Sequence, residues 1–271
     1  MLIAKLVLKC RLKMNITSYL KHLIIGLALI TTAAFGQISS VKHFKKDSLE
    51  ADALLMLKSF EEVQVNSYFH ISKSELLRKK DSIFNSIPAQ VDQCRAFTCL
   101  SEIAALISDS HTYIDNYAPI ITSYEDSQIF PLTIGFQGAH GLPVITNNLS
   151  RTSVIKPGAI LMSINGFNAQ QLFHRGTALQ GGLAAYKANE VRNNFSYYLH
   201  LFGIHAPFIV EYTQGKIVRK ETLPGIGYKD FVAASQHLHV PNFSFKFLSN
   251  NIGYINFNTM SGMKKFKMFL D

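Results

Sequence analysis

The stretch IKPGAILMSINGFNAQQL, residues 155–172, decides how this chain is read. Lys156-Pro157-Gly158 makes a tight turn in which Gly158 permits the reversal. It feeds a strand at 159–165, where Ile160 and Ile164 share one face by the two-residue period. Asn165-Gly166 then turns the chain into a helix that begins at Asn168–Phe173. A β-rich module is centred here, and its limits are sought on either side.

On the N-terminal side, FPLTIGF (130–136) alternates and carries β-formers. LPVIT (142–146) is a second strand, followed by Asn147-Asn148, a turn pair that tolerates positive φ. On the C-terminal side, Asn189–Phe202 reads as one longer helix, and PFIVEYTQGKIVRKETL (207–223) as a hairpin over Gln214-Gly215. Residues 224–241 form a loop-rich connection with little periodicity. NIGYINFN (251–258) is one further strand, and Lys264–Leu270 starts a helix.

The texture upstream of Tyr117 is different. Residues 47–65 carry apolar side chains at 49, 53, 57, 60 and 63, close to a helical period. Ser72-Lys73-Ser74-Glu75 is a capping-box pattern ahead of Leu76, Leu77, Ile83, Phe84 and Ile87. A third run places Phe97, Leu100, Ala104 and Ile107 three and four apart. Three amphipathic helices in so short a span imply a small helical bundle, and LISDSHTYID (106–115) closes the third. Cys94 and Cys99, five apart on that helix, point to different faces, so two buried thiols are expected rather than a disulfide.

The formal charge of +9 has the sign of a nucleic-acid binder, but its position argues against one. Lys5, Lys9, Arg11, Lys13 and Lys21 precede residue 36, and taking those five away leaves +4 on the remainder. Lys21 is followed by LIIGLALITTAAF (23–35), too short for a membrane span of roughly 20 residues. Ala34-Phe35-Gly36 places small residues where a signal peptidase reads, so a signal peptide at 1–36, cleaved after Gly36, is expected; an uncleaved anchor is the alternative. A 48% hydrophobic content with only 17% charged residues implies ordered domains with sizeable cores after it.

Chemistry-bearing residues are few. No G-x-S-x-G elbow occurs. S-x-x-K occurs at Ser18/Lys21, Ser39/Lys42, Ser153/Lys156 and Ser261/Lys264, four hits that show how cheap the pattern is. His237-Leu238-His239 and the neighbours His200 and His205 lack a third ligand at a characteristic spacing, so no metal site is expected. Gly181-Gly182 is followed by no Lys-Ser/Thr and is not a phosphate loop. No cofactor is implied. The remaining candidate is Asp109-Ser110-His111-Thr112. An imidazole there suits proton transfer near neutrality, and Asp109 is placed to orient it; alternatively Asp109 and Thr112 shape the turn and His111 packs at the edge of the bundle.

The run 155–172 resembles the core of a PDZ domain through Gly158, Ile160, Leu161, Ile164, Asn165 and Gly166. The order of parts extends this. A leader, a helical bundle ending in Asp-x-His-Thr, a PDZ-like module and then IGYINF resembles the C-terminal-processing (tail-specific) serine peptidase family, over about Asp47 to Phe257, with some tricorn-like features. Gln64-Val65-Asn66 departs from the His-Pro-Asn that this family often carries after its first helix.

The resemblance implies an α+β, multidomain fold: signal peptide 1–36, helical bundle 37–122, PDZ-like β-rich domain 123–227, and the truncated start of an α/β peptidase core at 228–271. It implies an exported, periplasmic or envelope-associated serine-type peptidase acting on peptide or protein C-termini. Ser110-His111 matches the base-bearing pair of one branch. Ile134, Gly135 and Phe136 are the residues expected to face a peptide added as a strand. The family's nucleophilic serine lies downstream of the strand matching Gly253–Phe257, so this chain is expected to be a front portion, inactive alone. A non-catalytic exported peptide-binding protein and a degenerate fragment remain open.

Overall fold

The computed structural model describes residues 42–115, 117–137, 141–150, 154–235, 243–257 and 266–268. The expected leader at 1–36, the histidines at 237 and 239 and the Ser261/Lys264 pair lie outside the described residues. So does one or both members of each other S-x-x-K pair. Residues His43–Asp271 form one compact unit. The architecture is α+β, with several sheets and two separate buried apolar clusters.

The first cluster belongs to three helices: α1 (Lys46–Val63), α2 (Lys73–Asn85) and α3 (Gln93–Ala105). The helical period is realised at Leu49, Ala53 and Leu57 on α1 and Leu76 and Phe84 on α2, all buried together with Cys99, Ile103 and Ile107. Ser72 caps α2 by accepting a hydrogen bond from the Glu75 backbone N–H at 3.2 Å, as the capping box requires. The Glu75 carboxylate does not reach back; it binds Arg78. Asp92 caps α3 through the Arg95 N–H. Strands β1 (His43–Lys45) and β2 (Gln90–Asp92) pair antiparallel beside the helices. Cys94 and Cys99 are both free, and burial pushes each thiol up to about 11.

Helix α3 serves both clusters. Cys99 and Ile103 face the helical core, while Cys94 and Phe97 pack against the second core. That second core lies under a sheet ordered β4 (Leu132–Gln137), β5 (Leu142–Asn148), β6 (Ile160–Ile164), β8 (Phe208–Gln214), β9 (Ile217–Leu223), with β7 (Phe167–Asn168) paired to β6. Helices α4 (Ala118–Glu125), α5 (Ala169–Ala178), α6 (Ala184–Asn193) and α7 (Phe195–Leu201) accompany it. The apolar payload is aromatic: Phe130 meets Phe208 edge-on at 5.1 Å, and Phe136 stacks on Phe173 at 4.2 Å.

The deciding stretch forms the expected turns. Gly158 sits at φ +87 in the Lys156–Ala159 turn. Asn165 (φ +49) and Gly166 (φ +82) make a two-residue hairpin loop between β6 and β7, the conformation Asn-Gly favours. The strand between them differs from expectation. Leu161 pairs with Tyr212 but Ser163 with Glu211, so Met162 is an extra residue. This bulge breaks the two-residue period. Leu161 and Ile164 therefore share the buried face, and Ile160 is turned out.

Other boundaries move for local reasons. Asn147 and Asn148 belong to β5 instead of a turn; their side-chain amides bind Thr133 Oγ1 and the Ile155 carbonyl. The β8–β9 hairpin turns over Gly215-Lys216, with Gly215 at φ +65. The single helix expected at 189–202 is broken at Asn194, whose φ of −120° ends α6 and starts α7. The connection after Pro224 contains β10 (Ile226–Gly227), paired with β3 (Gln128–Ile129), and α8 (Tyr228–Ser235). Strand β12 (Gly253–Phe257) pairs antiparallel with β11 (Phe243–Phe247), a strand absent from the sequence-based expectations. Residues 266–268 are helical, and Phe266 packs on Phe257 and Phe243. No helix among the described residues is long and apolar enough to cross a membrane.

Candidate functional site

Helix α3 ends in a tightened turn. Ile107 and Ser108 donate to the carbonyls of Ala104 and Ala105, three residues back, and Ser108 adopts φ +61. This left-handed step throws Asp109 clear of the helix axis. The Asp109 carboxylate then organises the turn through Thr112. Oδ1 accepts the His111 backbone N–H at 3.1 Å and lies 3.3 Å from the His111 ring Nδ1; Oδ2 accepts the Thr112 hydroxyl at 3.0 Å. The His111 N–H, more than any other contact, holds the Asp109 carboxyl below its ordinary value, with the Thr112 hydroxyl adding to it. Asp109 therefore both turns the chain and contacts the imidazole.

His111 itself is held from one side only. Its side chain is 92% exposed, against a buried Thr112 beside it. With Nδ1 toward a carboxylate, the opposite nitrogen faces solvent, the arrangement a general base needs toward a substrate or nucleophile. Thr112 anchors the turn from behind, receiving a hydrogen bond from the Gln64 amide at the end of α1.

Two glycines missed as site residues fix the position of this turn. A Cβ on Gly181 would lie 2.3 Å from the Asp109 carbonyl oxygen, and one on Gly182 2.8 Å from the Ser110 Cβ. The Gly-Gly pair thus lets one backbone run against another. Its signal was present as an unexplained Gly181-Gly182; its partner is visible only in three dimensions. Gln64-Val65-Asn66 and Asp109-Ser110 also line one open cleft of about 530 Å³, with Leu183 and Phe69 on its walls.

The peptide-binding candidates separate. Ile134 is 1% exposed and points into the sheet core, and Phe136 points the same way onto Phe173 and Phe195. Gly135 is on the opposite face, where a Cβ would meet Thr146 at 3.0 Å. Alternation along a strand forbids the three from presenting side chains to one ligand. What β4 presents is its backbone, because it is the end strand of its sheet among the described residues, with α6 and α7 packed on it. His200 and His205 sit with ring centroids 5.0 Å apart; both His200 nitrogens are buried without a hydrogen-bond partner.

No protein-family profile matches the chain, and no curated protein matches it. Solved structures do at low identity. Mature CPAF aligns over 78% of this chain and 46% of its own, with 10% identity and a TM-score of 0.40. Mature CPAF complexed with lactacystin aligns over 72% and 38%, with 11% identity and a TM-score of 0.43. The photosystem II D1 C-terminal processing protease aligns over 73% and 46%, with 11% identity and a TM-score of 0.29. The chain spans less than half the length of each of these structures.

Proposed function

We propose that this chain forms the substrate-holding, base-bearing part of an exported serine-type peptidase that acts at protein or peptide C-termini. The observation that carries the reading is the Asp109–His111 pair: an exposed imidazole with a carboxylate 3.3 Å from one ring nitrogen, on a turn fixed by Gly181-Gly182. Such a pair takes a proton from a hydroxyl nucleophile and returns it to the leaving amine, while the carboxylate stabilises the imidazolium that forms between those steps. The position of β4 at the end of its sheet among the described residues supports a peptide added as an extra strand. Residues 1–36 act as the export signal in this reading, and N-terminal sequencing of the secreted protein, beginning at Gln37, checks that part.

The test is hydrolysis of matched peptides with free and amidated C-termini by the full gene product. Faster cleavage of the free-carboxylate peptide is expected. Equal rates, or no hydrolysis of either, overturn the assignment. Binding of the free-carboxylate peptide without hydrolysis supports the second reading, a non-catalytic peptide-binding protein, for which the β4 edge alone suffices.

A further inference from the structure

Six of the chain's 11 tyrosines, Tyr113, Tyr124, Tyr186, Tyr197, Tyr198 and Tyr228, line one pocket of about 510 Å³. It is separate from the cleft beside Ser110 and has no lining residue in common with it. Its walls come from α3, α4, α6, α7 and α8, with Tyr113 and Asp115 supplied by the segment just after His111. The rings are fixed. Tyr124 meets Tyr197 and Tyr228 edge-on at 5.3 and 5.9 Å, its hydroxyl lies 2.9 Å from Ser196 Oγ, and the Gln180 amide donates to the Tyr198 hydroxyl at 2.7 Å.

The pocket's charge opposes that of the chain. Asp115, Glu125 and Glu190 line it, and no Lys, Arg or His does, although the chain carries +9 overall. Neither Glu125 nor Glu190 is in an ion pair among the described residues. Burial raises the Tyr124, Tyr197 and Tyr198 hydroxyls above their ordinary value, so these phenols stay neutral and do not add to the negative charge. Tyr113 and Tyr186 are exposed, which marks the mouth. The Glu190 carboxylate lies within electrostatic reach of the Tyr186 and Tyr198 hydroxyls.

We infer that this pocket binds the arginine side chain of a peptide. A guanidinium is planar and cationic; it stacks on aromatic faces and is held in two-pronged fashion by a carboxylate. Tyrosine faces with the Glu125 and Glu190 carboxylates among them supply both contacts. A neutral aliphatic side chain would leave the carboxylates without a counter-charge, and an acidic one would be repelled. The inference does not depend on the peptidase reading, because it concerns binding alone.

The experiment is calorimetric titration of the full chain with acetyl-Gly-Arg-Gly-amide and with the same peptide carrying citrulline or lysine, alongside acetyl-arginine-amide. Citrulline keeps the shape and removes the charge. Saturable binding of the arginine peptide at least tenfold tighter than the citrulline and lysine peptides is expected, and tighter than that of acetyl-arginine-amide. E190Q is expected to weaken the arginine peptide at least fivefold with the melting temperature unchanged. Y186F, which keeps the ring, is expected to bind like the parent, whereas Y186A loses affinity. Equal binding of arginine and citrulline peptides, no saturable binding at millimolar peptide, or wild-type affinity in a folded E190Q overturns the inference. Lysine binding as tightly as arginine overturns the guanidinium assignment, and acetyl-arginine-amide binding as tightly as the peptide overturns the peptide assignment.

Discussion

Gly182 runs close against Ser110: a Cβ on Gly182 would lie 2.8 Å from the serine's Cβ and 3.2 Å from its Cα, and the glycine sits at φ +86. Gly182→Ala meets both obstacles, so it is expected to cost about 3 kcal/mol. Gly203→Ala is the control, since Gly203 has φ +73 but open space around its Cβ position; it is expected to cost about 1 kcal/mol. Urea unfolding of both variants measures the difference. Equal costs would mean that the contact with Ser110 does not constrain the turn.

Asn165 ties the deciding stretch to β8. Its side-chain oxygen accepts the Ile209 N–H at 2.6 Å, its amide donates to the His205 carbonyl at 3.1 Å, and its φ is +49. Asn165→Ala loses both bonds and puts a less tolerant side chain in the left-handed region, an expected cost of about 2 kcal/mol. Asn165→Gly loses the bonds but is freer to adopt the conformation, and is expected to fall between Asn and Ala. Chemical unfolding checks the order, and alanine as stable as asparagine would contradict it.

His200 predicts an acid-sensitive fold. Burial first, and the nearby His205 second, lower its pKa to about 4 from an ordinary 6.5. Between those values the unfolded chain binds a proton that the folded chain does not, so the His200 contribution to stability falls as pH drops from 6.5 toward 4 and levels below it. His205, likewise lowered by its own burial, adds to the slope. The His200 contribution is on the order of 3 kcal/mol. His200→Phe is expected to flatten the stability profile over that range; an unchanged profile would refute it.

Cys94 and Cys99 carry the mark of burial rather than of pairing. With both thiols pushed up to about 11, the reactive thiolate is scarce at neutral pH. Iodoacetamide is expected to leave both unlabelled in the native chain and to label both in denaturant, read by peptide mass mapping. Native labelling of Cys99 would contradict the packing of α3 between two cores.

Local signals carried several of the helices and turns. The Ser72 cap, the Asn165-Gly166 turn and the core positions Leu49, Ala53, Leu57, Leu76 and Phe84 all depend on residues within a few positions of one another and appear where the pattern places them, whereas Val63, the last apolar position of the α1 pattern, is exposed. Features set by distant partners were not legible. The Met162 bulge arises from registry with β8, and it reassigned Ile160 from the buried face to the surface. Phe243–Phe247 alternates as a strand should, but its pairing with β12 was needed to distinguish it from the surrounding loop. The candidate site divides in the same way. Asp109-Ser110-His111 stood out because acid, hydroxyl and imidazole are adjacent in sequence, whereas Gly181-Gly182, Gln64 and the tyrosine pocket meet only through tertiary packing.

The central claim is that Asp109 and His111 act as carboxylate and base in peptide hydrolysis. The most direct measurement compares kcat for peptide hydrolysis by the full gene product with that of its His111→Ala variant, with thermal melting of both. A general base contributes about a hundredfold to ten-thousandfold. A kcat loss in that range with KM and melting temperature little changed is the predicted result, because the 92% exposed His111 side chain contributes little to the fold. An undiminished kcat in the folded variant would contradict the account.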